Sequence, residues 1–257
     1  MGNIDIVDLG YNGYKIKQDK RYFCFGMDSV LLANFVSSNN ANNVILDLCT
    51  GSGVIPVIIS YKKKYKKIYG IELQKEMFEL FKENVNLNKL NDKIECINED
   101  IKNIKNIRKK LIDNENKDVF DIICVNPPYK KGGTGIKNDD TVKYIARHEV
   151  MCTLEDVFFT SKFLLKSNGK MYMVHKPDRL VDIIYFARKY KLEPKKLQFV
   201  YPKVDKKPSI VLLEFVKNGR GQLDVLEPLI EYNEDGSYTD SIYKIYGMEN
   251  KDVKKEC

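Results

Sequence analysis

Short runs of branched apolar residues alternate along this 257-residue chain with segments whose apolar positions recur at helical spacing. Val44 to Leu48, Ile68 to Leu73, Ile94 to Ile97 with Ile101, and Val119 to Val125 are strand candidates. Between them, residues 54–64 and the segment carrying Met77, Leu80, Phe81, Val85 and Leu87 read as helices, and Ile104, Ile107 and Leu111 share another helical face. Strands that are apolar along nearly their whole length are buried on both sides. Their alternation with helices marks a parallel sheet covered on each face, and strand twist makes the crossovers right-handed.

The second half continues the pattern. After a polar stretch, 130–143, containing Gly132, Gly133 and Gly135, a helix is predicted from Thr153 to Leu165 and a strand from Lys170 to His175. A helix from Leu180 to Tyr190 and strands at Leu197 to Tyr201 and Ile210 to Phe215 follow. The prediction is therefore an α/β three-layer sandwich around a mostly parallel seven-stranded sheet. Residues 44–217 form this domain, 1–43 an N-terminal extension packing on it, and 218–257, after Gly219-Arg220-Gly221, a C-terminal extension. In the first extension, Ser29 to Phe35 reads as a helix with Asp28 as its cap. No internal repeat is present.

Composition excludes several classes. Mean hydropathy is −0.39, and charged residues cut every apolar run well short of the roughly 20 residues a membrane-spanning helix needs. The start of the chain has no secretory pattern, so a cytoplasmic protein is expected. Six cysteines (Cys24, Cys49, Cys96, Cys124, Cys152, Cys257) include no CxxC pair and accompany only two histidines. Neither a structural zinc nor a disulfide framework is expected; Cys49, Cys96 and Cys124 lie in or beside apolar runs, as reduced buried thiols do. A net charge of +7 suits a polyanionic partner, although lysine is abundant along the whole chain.

Asp47-Leu48-Cys49-Thr50-Gly51-Ser52-Gly53 places glycines between a strand and a helix, where backbone without a Cβ can approach a ligand. It is neither a Walker A loop nor the G-x-G-x-x-G dinucleotide spacing. Glu72, nineteen residues past Gly53 at the end of the next strand, is placed to accept both hydroxyl protons of a ribose. Asp100 can accept from an adenine amino group, with Ile101 against the ring. The set Asp47, Cys49, Thr50, Gly51, Gly53, Glu72, Asp100 and Ile101, with Asn126 at its rim, fits an adenosine without requiring a diphosphate. The acidic Asp47 suits the positive sulfonium of S-adenosylmethionine; a nicotinamide dinucleotide stays open at this point.

Asn126-Pro127-Pro128-Tyr129 ends another strand on the same edge, where open parallel sheets bind ligands. The Asn126 amide oxygen and the Pro127 carbonyl can accept the two hydrogens of an exocyclic amine, and Tyr129 can stack on the base. Such an amine is a poor nucleophile because its lone pair is delocalised. Two fixed acceptors favour the tetrahedral geometry in which positive charge develops on nitrogen. No strong general base is needed, so neither His148 nor His175 is required for proton removal. A base within folded nucleic acid must be exposed or flipped out to reach the site.

These residues together resemble the class I, amino-type adenine methyltransferases, a family with a Rossmann-like fold. Phe25-Gly26-Met27-Asp28-Ser29-Val30-Leu31-Leu32-Ala33, Ala146-Arg147-His148-Glu149 and Lys206-Lys207-Pro208-Ser209 extend the likeness to the bacterial tRNA (adenine-N6)-methyltransferases acting on adenine 37 of valine tRNA. It covers roughly residues 12 to 245 and departs at Cys49, where the family usually has glycine. The resemblance implies S-adenosylmethionine as donor, S-adenosylhomocysteine as product, and the tRNA anticodon stem-loop as partner; no obligate protein partner is implied.

Two basic regions are candidates for RNA. Arg188 to Lys207 holds eight basic and two acidic residues, including Lys195, Lys196, Lys206 and Lys207, interleaved with Tyr190, Phe199 and Tyr201. Lys130, Lys131, Lys137, Arg147 and His148 surround the reacting loop. Methylation of a protein glutamine or of a base in rRNA or DNA are the competing readings, and a nonenzymatic RNA-binding module is a further one.

Overall fold

The computed structural model describes residues 4–11, 13–22, 24–111, 120–129 and 152–248. Strands β3 (Val44–Leu48), β4 (Lys67–Glu72), β5 (Ile94–Asn98), β6 (Phe120–Val125), β7 (Leu165–His175), β8 (Leu192–Tyr201) and β9 (Ile210–Lys217) are the seven expected from the sequence. They lie in the order β8-β9-β7-β6-β3-β4-β5, parallel except for β9, which runs antiparallel to both neighbours. Two-residue strands β10 (Asp224–Val225) and β11 (Leu229–Ile230) add to β8 and bring the sheet to nine. The C-terminal segment thus completes an edge that would otherwise present unpaired backbone.

Helices α1 (Met27–Phe35), α2 (Val54–Lys62) and α3 (Lys75–Leu87) cover one face, and α4 (Ile104–Leu111), α5 (Leu154–Leu164) and α6 (Leu180–Lys189) the other. Each side buries its own apolar cluster, one around Ile45, Ile58, Ile68 and Phe81, the other around Leu46, Ile123, Phe158 and Met173. Successive strand residues point to opposite faces, which is why Ile45 and Leu46 belong to different clusters. Leu87, read from its spacing as part of the α3 apolar stripe, is exposed at the helix end. Thr153 starts α5 with a reciprocal capping box: its hydroxyl accepts from the Asp156 N–H, and its own N–H donates to the Asp156 carboxylate.

The N-terminal segment contains a hairpin that the sequence reading did not predict, β1 (Ile4–Asp8) against β2 (Lys15–Asp19). Asn84 of α3, fully buried, holds it. Its Oδ1 accepts from the Lys17 N–H at 2.7 Å, while its Nδ2 donates to the carbonyls of Lys17 (3.0 Å) and Ser52 (2.9 Å). One amide therefore joins the hairpin, a helix and the glycine loop. At the other end of the chain, α7 (Asp240–Tyr246) packs beside α1, and the Ile245 carbonyl accepts from the Tyr11 hydroxyl at 2.6 Å and from the Lys62 ammonium.

Asp28 does not cap α1. Gly26 occupies that position without a side-chain bond, and Asp28 lies in the first turn with its carboxylate engaged elsewhere. Replacing Asn84 with Ala leaves the Lys17 N–H and the Ser52 carbonyl without partners; the expected loss is roughly 2–3 kcal/mol, read as a lower midpoint in urea denaturation with an unchanged slope.

Candidate active site

The ends of β3, β4, β5 and β6 converge on one edge. The sheet order makes β3 the switch point, with the path to β4 leading one way and β6 lying on the other side. Open α/β sheets form their ligand crevice at such a point. Leu48 is in register with Ile71 and Val125, so the loops after β3, β4 and β6 begin at one level.

The loop after β3 turns through three left-handed residues, Cys49 (φ 58), Gly51 (φ 58) and Gly53 (φ 83). Gly53 is also required by packing, since a Cβ there would lie 2.0 Å from the Phe81 ring, and one on Gly70 of β4 would lie 2.5 Å from the same ring. Cys49 carries a side chain in a conformation that costs an L-residue roughly 1–2 kcal/mol. Its Sγ lies 3.8 Å from that of Cys152. That contact, together with burial, pushes the Cys49 thiol well above the ordinary range, which keeps it protonated and unreactive. All five described cysteines are free thiols; Cys124 is fully buried, and the other four are partly buried.

Glu72 closes the crevice. Its Oε2 accepts from the Gly51 N–H at 2.9 Å and its Oε1 from the Gln74 N–H at 2.8 Å, so one carboxylate ties the glycine loop to the end of β4. Each oxygen retains a further lone pair for a ligand hydroxyl. Burial raises the Glu72 pKa, against the pull of those two N–H groups. Asn98 donates to the carbonyls of Glu72 and Leu73 (2.8 and 3.0 Å), which brings the end of β5 alongside. Asp100 follows there, half-exposed, with Oδ1 accepting from the Lys102 N–H. Ile101 instead sinks into the core beneath α5, where the Thr160 hydroxyl donates to its carbonyl at 2.8 Å.

Asp47, one residue before the end of β3, is fully buried, and neither of its carboxylate oxygens has a hydrogen-bond partner among the described residues; the Thr50 hydroxyl is in the same position. Burial, opposed in part by the nearby Thr50 hydroxyl and reinforced by the Glu72 charge, pushes the Asp47 pKa up to about 8. An uncompensated acid behind a glycine loop favours positive charge in front of it. These residues therefore fit a cationic adenosyl ligand: a left-handed loop of bare backbone held down on Phe81, a carboxylate for vicinal hydroxyls, and a buried acid without a close partner.

Across the crevice, Asn126 donates from Nδ2 to the Ser29 hydroxyl at 2.9 Å, and the Tyr129 hydroxyl reaches both Asp28 Oδ2 (2.7 Å) and Asn126 Oδ1. The Tyr129 ring meets His175 edge-on, with centroids 5.0 Å apart. His175 is buried, which lowers its pKa to about 4, and its Nδ1 accepts from the Lys176 N–H; it is a neutral support for the ring at pH 7. The Lys176 ammonium stands 5.6 Å from the ring centroid. Asp28, Ser29, Lys176 and Cys152 were not selected from the sequence as site residues. For Asp28 and Ser29 the signal was the Phe25–Ala33 segment within the family likeness, where Asp28 was read as the cap of a helix from Ser29 to Phe35.

The basic stretch divides in two. Lys206 and Lys207 lie in the β8–β9 connection, on the same edge as His175 and Lys176; Lys206 pairs with Asp205, and both are exposed. Lys195 and Lys196 lie in mid-strand, about 17 Å back along β8 at ~3.3 Å per residue; the Lys195 ammonium donates to the Arg220 carbonyl. Lys130, Lys131, Lys137, Arg147 and His148 lie outside the described residues. Among the described residues no group of three or more His, Cys, Asp or Glu side chains could hold a metal, and no helix is long and apolar enough to cross a membrane.

The fold is that of the class I methyltransferases. A predicted O-methyltransferase from Agrobacterium tumefaciens superposes with a TM-score of 0.69 at 19% identity, covering 86% of this chain and 96% of that one. Trm5 from Methanocaldococcus jannaschii, solved in complex with adenosine, gives a TM-score of 0.53 at 22% identity over 85% of this chain and 57% of that one. Residues 11–128 match the TRM5/TYW2 methyltransferase domain. Among curated relatives, the tRNA1(Val) (adenine(37)-N6)-methyltransferase of Porphyromonas gingivalis is 28% identical over 193 residues, 74% of this chain and 73% of its own length. The protein of the same name from Flavobacterium johnsoniae is 25% identical over 248 residues, 96% and 97%.

The buried acid has a measurable signature. Asp47 binds a proton in the folded chain up to about pH 8 and in the unfolded chain only to about pH 4. Between these limits the folded state holds more protons, so its contribution to stability falls as pH rises. The stability of the wild type relative to Asp47→Asn is expected to drop by about 1.4 kcal/mol per pH unit across that window. Urea titrations of both proteins at pH 5 and pH 7.5 read this directly, and a constant difference would mean that Asp47 is ionised in the folded protein.

Proposed function

We propose that this chain is an S-adenosylmethionine-dependent methyltransferase acting on the exocyclic N6 of adenine 37 in valine tRNA, with the anticodon stem-loop as the part it grips and the cytoplasm as its setting. The observation that carries the reading is the placement of the Asn126 amide at the end of β6, across the switch point from the loop that Glu72 ties to Gly51. The curated relatives support it through their shared name, over 74% of this chain in one case and 96% in the other.

When bound, S-adenosylmethionine supplies an electrophilic methyl group on a positive sulfonium and leaves as S-adenosylhomocysteine. Glu72 accepts the ribose hydroxyls, Gly51 and Gly53 give the adenosyl group backbone to lie against, Asp100 receives the adenine amino group, and Asp47, protonated in the empty protein, favours the cation by ionising beside it. Cys49 and Thr50 shape the loop. Ile101, whose side chain is buried, shapes the adenine side from behind. Asn126 Oδ1 and the Pro127 carbonyl accept the two hydrogens of the substrate amine, holding its lone pair toward the methyl group. Tyr129 presents its ring to the base. Acceptors fixed before reaction favour the developing ammonium over the planar ground state, and alignment of the two reactants supplies much of the remaining acceleration. The ammonium is acidic enough to lose its proton to solvent or a carbonyl.

Lys206 and Lys207, with Lys176 beside them, form the half of the basic stretch that faces this edge and suits backbone phosphates; Lys130, Lys131, Arg147 and His148 are proposed partners for the same RNA. Incubation with unmodified tRNA and methyl donor, followed by nucleoside mass spectrometry, should yield N6-methyladenosine at position 37. Product on protein glutamine, or none on tRNA, would reject the assignment. Asn126→Ala should lower the single-turnover rate by about 100-fold or more with little change in melting midpoint.

Reversing Lys206 and Lys207 to Glu should raise the tRNA Kd on the order of tenfold at ~0.1 M salt and flatten its salt dependence. The same change at Lys195 and Lys196 should move it little. Equal effects from the two pairs in a binding titration would remove the distinction.

A further inference from the structure

The Tyr129 hydroxyl stands within hydrogen-bond reach of two acceptors, Asp28 Oδ2 and Asn126 Oδ1, and carries one proton. Donated to Asn126, that proton takes one of the two lone pairs of the oxygen on which the substrate amine depends and makes it a poorer acceptor for the amine. Donated to Asp28, it leaves that oxygen open. A carboxylate is the stronger acceptor, because charge-assisted hydrogen bonds are roughly twice as strong as neutral ones. Asp28 is well placed to compete: it is buried in the first turn of α1, with Oδ1 accepting from the Ser29 N–H at 2.8 Å and Oδ2 turned to Tyr129 at 2.7 Å. The next residue fixes the amide itself, since the Ser29 hydroxyl accepts from Asn126 Nδ2 at 2.9 Å and so presents Oδ1 on the other side.

We propose that Asp28 is a positioning residue for methyl transfer, drawing the Tyr129 O–H to itself so that Asn126 Oδ1 stays open to the substrate amine while Ser29 holds the amide in that orientation. The inference rests on the proposed role of Asn126. No proton changes owner: burial and the Asp28 charge both raise the Tyr129 pKa, so the phenol remains protonated and donates. The N-terminal segment thereby contributes to the reacting centre without touching the substrate.

Asp28→Asn tests this sharply. Both carboxylate oxygens accept hydrogen bonds, and an asparagine replaces one of them with an NH2 that accepts none. With its oxygen kept by the Ser29 N–H, the new amide turns a donor toward Tyr129 and sends the phenol proton to Asn126. The single-turnover methylation rate should fall at least tenfold, with the Kd values for S-adenosylmethionine and for tRNA each within twofold of wild type. Tyr129→Phe removes the competing proton, so the double variant should return to within threefold of Tyr129→Phe alone.

A wild-type rate for Asp28→Asn, or a double variant slowed by the product of the two single defects, would overturn the proposal. Should Asp28→Asn melt below the assay temperature, Ser29→Ala carries the test. It frees the amide to turn and is expected to slow transfer with both Kd values retained; an unchanged rate counts against the proposal. Asn126→Ala separates the layers. If it transfers methyl at the wild-type rate, the reading of Asn126 fails; if it is slow and Asp28→Asn is not, only the role of Asp28 fails.

Discussion

The ring of Phe81 occupies the space that a Cβ on either Gly53 or Gly70 would fill. It therefore sets how closely α3 approaches the sheet and obliges the β3–α2 loop to pass over it as bare backbone. With the loop held down, the Gly51 N–H meets Glu72, and the ends of β3 and β4 become one surface. Asn84, one helical turn along α3, secures the same loop through the Ser52 carbonyl and adds the N-terminal hairpin to the assembly. The crevice is thus a consequence of helix packing. Its floor is a fully buried aromatic residue whose neighbours have no freedom to become larger.

That floor is also electrically unusual. Asp47, fully buried and without a close hydrogen-bond partner among the described residues, sits near enough to Glu72 for that charge to disfavour its ionisation further. Stability alone would favour an apolar residue at Asp47. The arrangement makes physical sense if a cation comes to rest in front of the loop, because the cost of the buried acid in the empty protein is then offset on binding. Cys49 adds a smaller burden, a side chain at a left-handed position, compensated in part by its contact with Cys152 at the entry to α5.

Central features were legible in the sequence because their physics is local. β3 and β6 are apolar at every position but one, Asp47 and Asp121 respectively, since both faces of a central parallel strand are buried, and the glycine loop marks the backbone that must turn between strand and helix. Features that depend on distant partners were not. The hairpin strands Ile4–Asp8 and Lys15–Asp19 mix charge with exposed Ile4 and Ile6, and they are held by Asn84 of α3, far along the chain. The basic stretch read as one patch because sequence proximity conceals the extension of β8, which carries Lys195 and Lys196 away from the edge where Lys206 and Lys207 stand. Asp28 looked like a helix cap because a short acidic side chain at a helix start usually is one; its longer-range bond to Tyr129 has no local signature.

Side-chain contacts run across the expected boundary at residue 43. Asn126 ends a core strand, yet its amide is held by Ser29, and its neighbour Tyr129 is held by Asp28, both on α1 before the first parallel strand. A Rossmann-like sheet supplies the adenosyl crevice wherever this fold occurs, because that crevice follows from the switch point and the glycine loop. The orientation of an acceptor amide does not follow from either. An asparagine at a strand end can present its oxygen or its NH2 to the crevice with nearly the same shape, and the two choices are opposite for a substrate amine. In the role proposed for Asn126 that choice is fixed from outside the sheet, because the short helix laid across its end sets Ser29 on the amide and Asp28 on the Tyr129 phenol.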